Sequence, residues 1–301
     1  MDNHVNIQWT VDEKWDGELL RTFLREGKLL SKRALADVKY RGGKLLLNEE
    51  LVTVRKTVAA GDTVSIHFPP EQPSPSLIAE EGELAIAYED SHFLVINKEP
   101  GMATIPSRDH PSGTLANLVL GYYLKKGIRA TFHAVNRLDK DTSGLLLVAK
   151  HRFAHDLMSK LQQAGKLERR YLAVVEGRLE GEGGTIDAPI GRKEESLIER
   201  EVRPDGQQAV THYEIEKAFK AGTIVRVKLE TGRTHQIRVH FSSIGHPLVG
   251  DDLYGASLLL LSRQALHSYS LSFYHPFLEK NLQFQSTIPC DIQAVIEALD
   301  E

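Results

Sequence analysis

Apolar and polar positions in this chain follow two periods, and the changes between them divide it into short helices and short strands. Leu19, Leu20, Phe23 and Leu24 recur at helical spacing. Leu35 and Val38 do the same behind Ser31, a residue type suited to cap a helix N-terminus. Gly42-Gly43 ends that second helix. Residues 44–47 then read as a strand, 48–50 as a turn, Val52, Val54 and Val58 as an alternating run, and 63–68 as a further strand. Residues 69–76, PPEQPSPS, hold four prolines and read as a stiff, extended linker. From Leu84 the pattern gives strands at LAIAYED and HFLVINK, a break at Pro100-Gly101, and a helix over 114–126. The unbroken apolar run from Leu145 to Ala149 fits a strand buried on both faces. Phe153, Leu157 and Leu161 mark one face of a helix, and Tyr171 to Glu176 another buried strand. Shorter strands follow at 186–190, 210–217 and 223–230, a strand reading fits 236–241, and a closing helix covers 291–300. Strands outnumber helices and do not alternate with them. The expected fold class is therefore α+β, with a mixed, largely antiparallel sheet. Its boundaries are a small α/β module over 12–68, a Pro-rich linker over 69–82 and a larger domain over 83–301.

Composition narrows the class of protein. With 41% hydrophobic and 26% charged residues the chain is a globular one, and no apolar run approaches the length of a membrane helix. Cys290 is the only cysteine, which excludes an internal disulfide and a cysteine metal cluster and suits a reducing, cytoplasmic setting. The N-terminal residues carry early acids and no apolar segment, so no secretory signal is expected. A formal net charge of −4 does not announce a nucleic-acid partner. Its distribution does. Between Leu19 and Lys44, eight basic residues (Arg21, Arg25, Lys28, Lys32, Arg33, Lys39, Arg41, Lys44) face only Glu26 and Asp37, the kind of patch that meets phosphates.

Three clusters could carry chemistry. The first is NRLDKDTSGLLLVAK, residues 136–150, in which Arg137 and Asp139 flank Leu138 ahead of a polar turn and the buried strand. A turn held by a core strand is a rigid mount for a carboxylate, but Asp and Ser at such a turn are also ordinary turn formers. Spacing leaves both readings open. The second cluster, KLERRY at 166–171, delivers Tyr171 from a basic turn to the start of a buried strand. The third, residues 230–252, combines Arg233, His235, Arg238, His240 and His246 with no acid between Thr231 and Gly250. Its histidine spacings suit no single helix or strand face, so a metal site is not expected there. His151 and His155 are four apart on a helix but read as exposed histidines off its apolar face. Ser143 lacks a GxSxG elbow, and GxGxxG, Walker and HExxH motifs are absent. Asp139 and Asp141, about 6.6 Å apart by strand rise, also fit a two-carboxylate glycosidase.

Two resemblances add to this reading. LLRTFLREGKLLSKRALADVKYRGGKLLLNEELV with VAAGDTVSI is similar to the alpha-L RNA-binding fold, which implies that Ser31, Lys32, Arg33 and the turn from Arg41 to Lys44 face RNA. NRLDKDTSGLLLVAK, RRYLAVVEG and LETGRTHQIRVHFSSIGHPLVGDDLYG together resemble, in order and spacing, the signatures of the RluA/RluD-type pseudouridine synthases. The likeness runs from residue 84 to 290. It implies isomerisation of uridine to pseudouridine in RNA without cofactor or metal. Asp139 then matches the aspartate that is nucleophile or otherwise essential in detaching uracil. Tyr171 matches the tyrosine that packs on the base and assists proton transfer, and Arg238 the basic residue that ion-pairs the aspartate. Arg137 matches the arginine that fills the space of the extruded base. Arg233 and His235, in the basic third cluster, are expected to grip RNA. A carboxylate in a pocket is kept charged by a neighbouring guanidinium, and an aromatic ring compensates part of the lost stacking of a flipped base. The chain departs from the family at Asn136, where a histidine is common, so the position has no titratable ring.

The expected function is an RNA pseudouridine synthase on structured RNA, with large-subunit ribosomal RNA as the first candidate and tRNA as the second. The chain is expected to be monomeric and to need no membrane. Two other classes stay in view, an RNA-binding ribosome assembly factor with an impaired site, suggested by Asn136, and a glycoside or nucleoside hydrolase using Asp139 and Asp141.

Overall fold

A computed structural model describes residues 5–72, 74–108 and 110–300. Met1 to His4, Pro73 of the expected linker and Glu301 of the expected larger domain lie outside the described residues.

The N-terminal unit contains β1 (Asn6–Thr10), a turn of helix α1 (Leu20–Thr22) that widens into a π-turn over Phe23–Gly27, α2 (Lys32–Tyr40), β2 (Lys44–Leu47), β3 (Glu50–Leu51) and β4 (Thr63–His67). Its strands pair in the order β1-β4-β2-β3, all antiparallel. Ser31 caps α2 as its residue type suggests, its Oγ accepting the Ala34 N–H at 3.1 Å. The alternating valines at 52–58 do not form a strand. Their carbonyls are taken by another segment: Arg21 N–H donates to Val54 O, Leu20 to Lys56 O and Gly17 to Val58 O.

The larger part is built on one ten-stranded sheet. It uses β5 (Ile86–Glu89), β6 (Phe93–Lys98), β7 (His133–Ala134), β8 (Ser143–Ala149), β9 (Leu167–Glu176) and β10 (Gly183–Asp187). After the separate hairpin β11 (Ile190–Arg192) and β12 (Arg200–Val202) come β13 (Val210–Ala218), β14 (Gly222–Leu229), β15 (Leu266–His275) and β16 (Lys280–Gln285). The path is β10-β13-β14-β9-β15-β8-β6-β5, with β16 on β15 and β7 on β8. Among the described residues β15–β8 is the single parallel pairing, so the sheet is mixed and largely antiparallel as expected.

Strand periodicity decides which helix covers which face. Leu94, Ile96, Leu146 and Val148 meet α3 (Leu115–Lys125), whereas Phe93, Val95, Leu145 and Leu147 meet α4 (Arg152–Gln163) on the other side. All seven residues of β8 are buried, in keeping with its apolar run. α5 (Gln236–Ser243) joins α3 on the face carrying Tyr171, and α6 (Cys290–Asp300) packs on the opposite face against Leu172 and Val174.

Residues 236–241 form helix α5 rather than a strand. All six side chains there are buried, so alternation carries no information about a face, and His235 in a left-handed conformation (φ 57°) starts the helix. His151 and His155 are not exposed. The N-terminal unit lies over the start of α4, and Phe153 and Leu157 complete the core made by Phe23, Leu35 and Ile66. His151 is 3% exposed and accepts the Ala154 N–H on Nδ1. Ser31 Oγ also donates to Asp156 at 3.2 Å, and Lys160 Nζ donates to Leu29 O. In the Pro-rich segment, Glu71 accepts from the Arg152 N–H, Thr131 Oγ1 and His133 Nε2, which ties that segment to the larger part. Burial opposes the charge of Glu71, but these bonds, His133 first, bring its pKa down to about 2.

Candidate active site

Asp139 sits in the turn between Leu138 and β8, and its neighbours are pinned one after another. Thr104 Oγ1 donates to Leu138 O at 2.7 Å, and Leu138 N–H donates back at 3.2 Å. Lys98, at the end of β6, donates to Lys140 O, Glu99 O and Met102 O. Arg263 Nη1 donates to Asp141 O, and Gln264 Nε2 to Thr142 Oγ1. The turn closes on itself by Thr142 N–H to Asp139 O. A carboxylate so framed has little freedom to leave its productive position, which is what precise positioning requires. Gly144, second in the strand, has φ +107°, a conformation that favours glycine, and a Cβ there would collide with the Ser268 carbonyl.

The carboxylate opens on a cleft of about 590 Å³ lined also by Arg137, Arg169, Tyr171, Arg233, His235 and Arg238. Asp139 keeps 26% of its side chain exposed, while Arg238 keeps 8%. Arg238 Nη1 is 3.4 Å from Asp139 Oδ2. Its Nε and Nη2 are bound more closely, at 2.7 and 2.8 Å, to the two oxygens of Asp251, which is 1% exposed. The guanidinium carbon lies 4.9 Å from the Tyr254 ring centre, a cation–π distance. Burial works against the Arg238 charge. The bonds and charge of Asp251, then the charge of Asp139, outweigh it and raise the pKa above the ordinary arginine value.

Tyr171 is 4% exposed on β9 opposite Val227. Burial raises the pKa of its hydroxyl, with the charge of Arg169 opposing and that of Asp139 adding to the shift. Its phenol is therefore held protonated. Tyr254 Oη accepts the Arg200 N–H at 3.0 Å and shares a 2.8 Å hydrogen bond with His235 Nδ1. Burial lowers the His235 pKa, with Asp139 opposing. Lys98 is 2% exposed; burial brings its pKa to about 8 against the pull of Asp141 and Asp139.

The structure thus brings together Asp139, Tyr171, Arg238, Arg137, Arg233 and His235 in one cleft. It keeps Ser31, Lys32, Arg33, Arg41 and Lys44 apart, on the N-terminal unit. Lys32, Arg33, Arg41 and Lys44 are exposed there, whereas Ser31 is half-buried against Asp156. Asp141 does not line the cleft, and Ser143 is buried against His267. Asn136 Oδ1 accepts the Leu147 N–H at 2.9 Å, bracing the loop on β8. Thr104, Lys98, Asp251 and Tyr254 were not evident from sequence. Asp251 stands at the end of the third cluster, behind its run of basic residues. Lys98 ends an apolar strand, where a lysine gives no sign of burial. No group of three or more potential metal ligands occurs among the described residues, and none of their helices is long and apolar enough to cross a membrane.

Residues 92–243 match the family model described as RNA pseudouridylate synthase. An uncharacterized RNA pseudouridine synthase of Bacillus subtilis (strain 168) is 53% identical over 268 residues, 89% of this chain and 95% of that protein. The ribosomal large subunit pseudouridine synthase D of Xanthomonas campestris is 38% identical over 277 residues, 87% of this chain and 82% of its own length. Among solved structures, Human RNA Pseudouridylate Synthase Domain Containing 4 superposes with a TM-score of 0.58 at 22% identity. It covers 72% of this chain and 93% of that one, a likeness of fold.

Proposed function

The chain belongs to the RNA pseudouridylate synthase family, and from that membership we propose that Asp139 carries the isomerisation of uridine to pseudouridine, with large-subunit ribosomal RNA as substrate. The observation that supports Asp139 above all is its framing: a partly open carboxylate whose neighbours Leu138, Lys140, Asp141 and Thr142 are each held by a side chain from elsewhere.

In this mechanism the target uridine leaves its stack and lies on Tyr171, while Arg137 at the exposed mouth takes the space it vacated. Asp139 acts at the ribose as the N1–C1′ bond breaks, and the electron pair stays with uracil. The ring turns, C5 bonds to C1′, the C5 proton leaves and N1 takes one up. Tyr171, its phenol protonated at the outset, is placed to assist proton transfer at the base, and Arg238 holds the carboxylate by charge. Asn136 braces the loop through its amide oxygen, a task that needs no titratable ring. Asp141 is not among the residues lining the cleft, which leaves a paired-carboxylate hydrolase without support.

The N-terminal unit is read as an alpha-L type RNA-binding module over 12–68. Its exposed Lys32, Arg33, Arg41 and Lys44 reach phosphates, and Arg233 and His235 grip RNA at the cleft. The similarity to the synthase D of Xanthomonas campestris supports ribosomal RNA over tRNA. The protein is further read as a cytoplasmic monomer. Release of tritium from large-subunit RNA labelled at uracil C5 tests the central claim: wild type should release it and D139N should not. Equal release by D139N would overturn the assignment. Mapping pseudouridines in ribosomal and transfer RNA, with and without the protein, decides the target.

A further inference from the structure

One buried charged group in the cleft has no counterpart among the described residues. Arg169 is 5% exposed, and its Nε is buried without a hydrogen-bond partner. Among the described residues no hydrogen bond or carboxylate at ion-pairing distance meets its guanidinium. Other buried arginines of this chain are anchored: Arg238 to Asp251 and Arg263 to Asp291, each through two nitrogens. Burying a guanidinium unpaired is costly, and proteins keep such groups where a ligand supplies the missing partner. The guanidinium borders the cleft and lies close to the backbone of the loop before α5, since a Cβ at Gly232 would come within 2.9 Å of Nη1. Arg169 and Tyr171 are two apart on β9, so both side chains emerge on the same face of the strand.

We propose that Arg169 is a further catalytic residue, a buried fork that donates hydrogen bonds to a carbonyl oxygen of uracil and holds the negative charge the ring carries once it is detached. The assignment rests on the Asp139 reading above. Two anionic oxygens could fill such a fork, a uracil oxygen or a backbone phosphate. Depth favours the base: Arg137 and Arg233 are exposed at the mouth, where a hydrated phosphate backbone would run, whereas Arg169 lies beside the ring of Tyr171. The charge balance fits as well. Breaking N1–C1′ leaves the bonding pair on uracil, where it spreads to the carbonyl oxygens. Forming C5–C1′ spends that pair and returns the ring to neutrality, exchange of the C5 proton for one at N1 keeps it neutral, and the guanidinium emerges unchanged. A donor aimed at charge that develops only during reaction stabilises the transition state more than the bound substrate.

The test uses the full chain and transcribed large-subunit ribosomal RNA tritiated at uracil C5, with single-turnover release and filter binding measured across a salt series. R169Q should bind within about 3-fold of wild type with the same salt slope, and its release rate at saturation should fall by about 100-fold or more, the usual loss for one such donor. R169K keeps the charge and the stem without the planar fork. It should fall between the two, and it carries the test if R169Q is not recovered folded. A salt slope reduced by the equivalent of about one phosphate, with the saturated rate unchanged, would assign Arg169 to the backbone and overturn the proposal. Wild-type rates in both variants would overturn it equally. D139N in the same assay separates a failure of the Asp139 reading from a failure of this one.

Discussion

Arg238 belongs to Asp251 before it belongs to Asp139: two bonds of 2.7 and 2.8 Å hold it to the former, and a single contact of 3.4 Å joins it to the latter. The two acids compete for one guanidinium, and the tighter grip leaves Asp139 lightly held and free to act at the ribose. D251A leaves a buried charge unpaired and should cost about 3–5 kcal/mol of stability. Its Arg238 can then swing onto Asp139, so the single-turnover rate should also fall by at least about 10-fold, one decade per 1.4 kcal/mol. Urea unfolding and tritium release check the two effects separately. A variant of full activity would show that Asp251 does not position Arg238.

What the sequence disclosed and what it hid follow one physical line. Asp139, Tyr171 and Arg238 are legible because each sits in a contiguous motif, and the all-buried β8 is legible from its apolar run. Lys98 and Thr104 act on the site from segments far along the chain, and no local pattern records a distant hydrogen bond; Asp251 shares the motif of Arg238, but its pairing across 13 residues depends on how α5 and the following turn fold. The same holds for His151. Its burial depends on the N-terminal unit closing over α4, through Phe153 and Leu157, and those two residues read equally well as facing the larger domain alone. Residues 236–241 escaped because total burial erases the contrast from which a period is read.

That shared core changes how the N-terminal unit should be tested. Removing residues 1–76 would strip the cover from Phe153 and Leu157 and take Glu71 from His133 and Arg152, so weaker binding would reflect damage. The exposed pair Lys32 and Arg33 offers a cleaner probe. K32A/R33A should lower the salt slope of RNA binding by about 0.7–0.9 for each phosphate that is no longer neutralised, and leave the saturated rate unchanged. Filter binding at several salt concentrations decides it; an unchanged slope would assign these two residues to solvent.

Gly144 should tolerate no side chain. Its φ of +107° strains any other residue, and the Cβ would run into the carbonyl of Ser268 on β15. Because this is the parallel junction between β8 and β15, displacement would reach the Asp139 turn directly. G144A is expected to lower thermal stability by about 3 kcal/mol or more and to lose activity in proportion. A melting temperature within a degree or two of wild type would contradict so close an approach of the two strands.

The contact between the two parts of the chain should fail in acid. His151 accepts the Ala154 N–H on Nδ1, so its neutral ring carries the proton on Nε2 and donates to His92 Nδ1 at 3.0 Å. Burial pushes the His151 pKa down to about 3 and that of His92 to about 4. Both folded values lie below the ordinary histidine value of 6.5. As pH falls, the unfolded chain therefore takes up protons first. The stability these rings contribute is complete above pH 6.5 and is lost progressively as pH drops toward 3, on the order of 3 kcal/mol for one such group. H151N keeps an oxygen to cap α4 and removes the titration. Its urea midpoint should sit near that of wild type at pH 7.5 and decline less steeply between pH 6.5 and 4. Parallel curves for the two proteins over that range would show that the acid limb arises elsewhere.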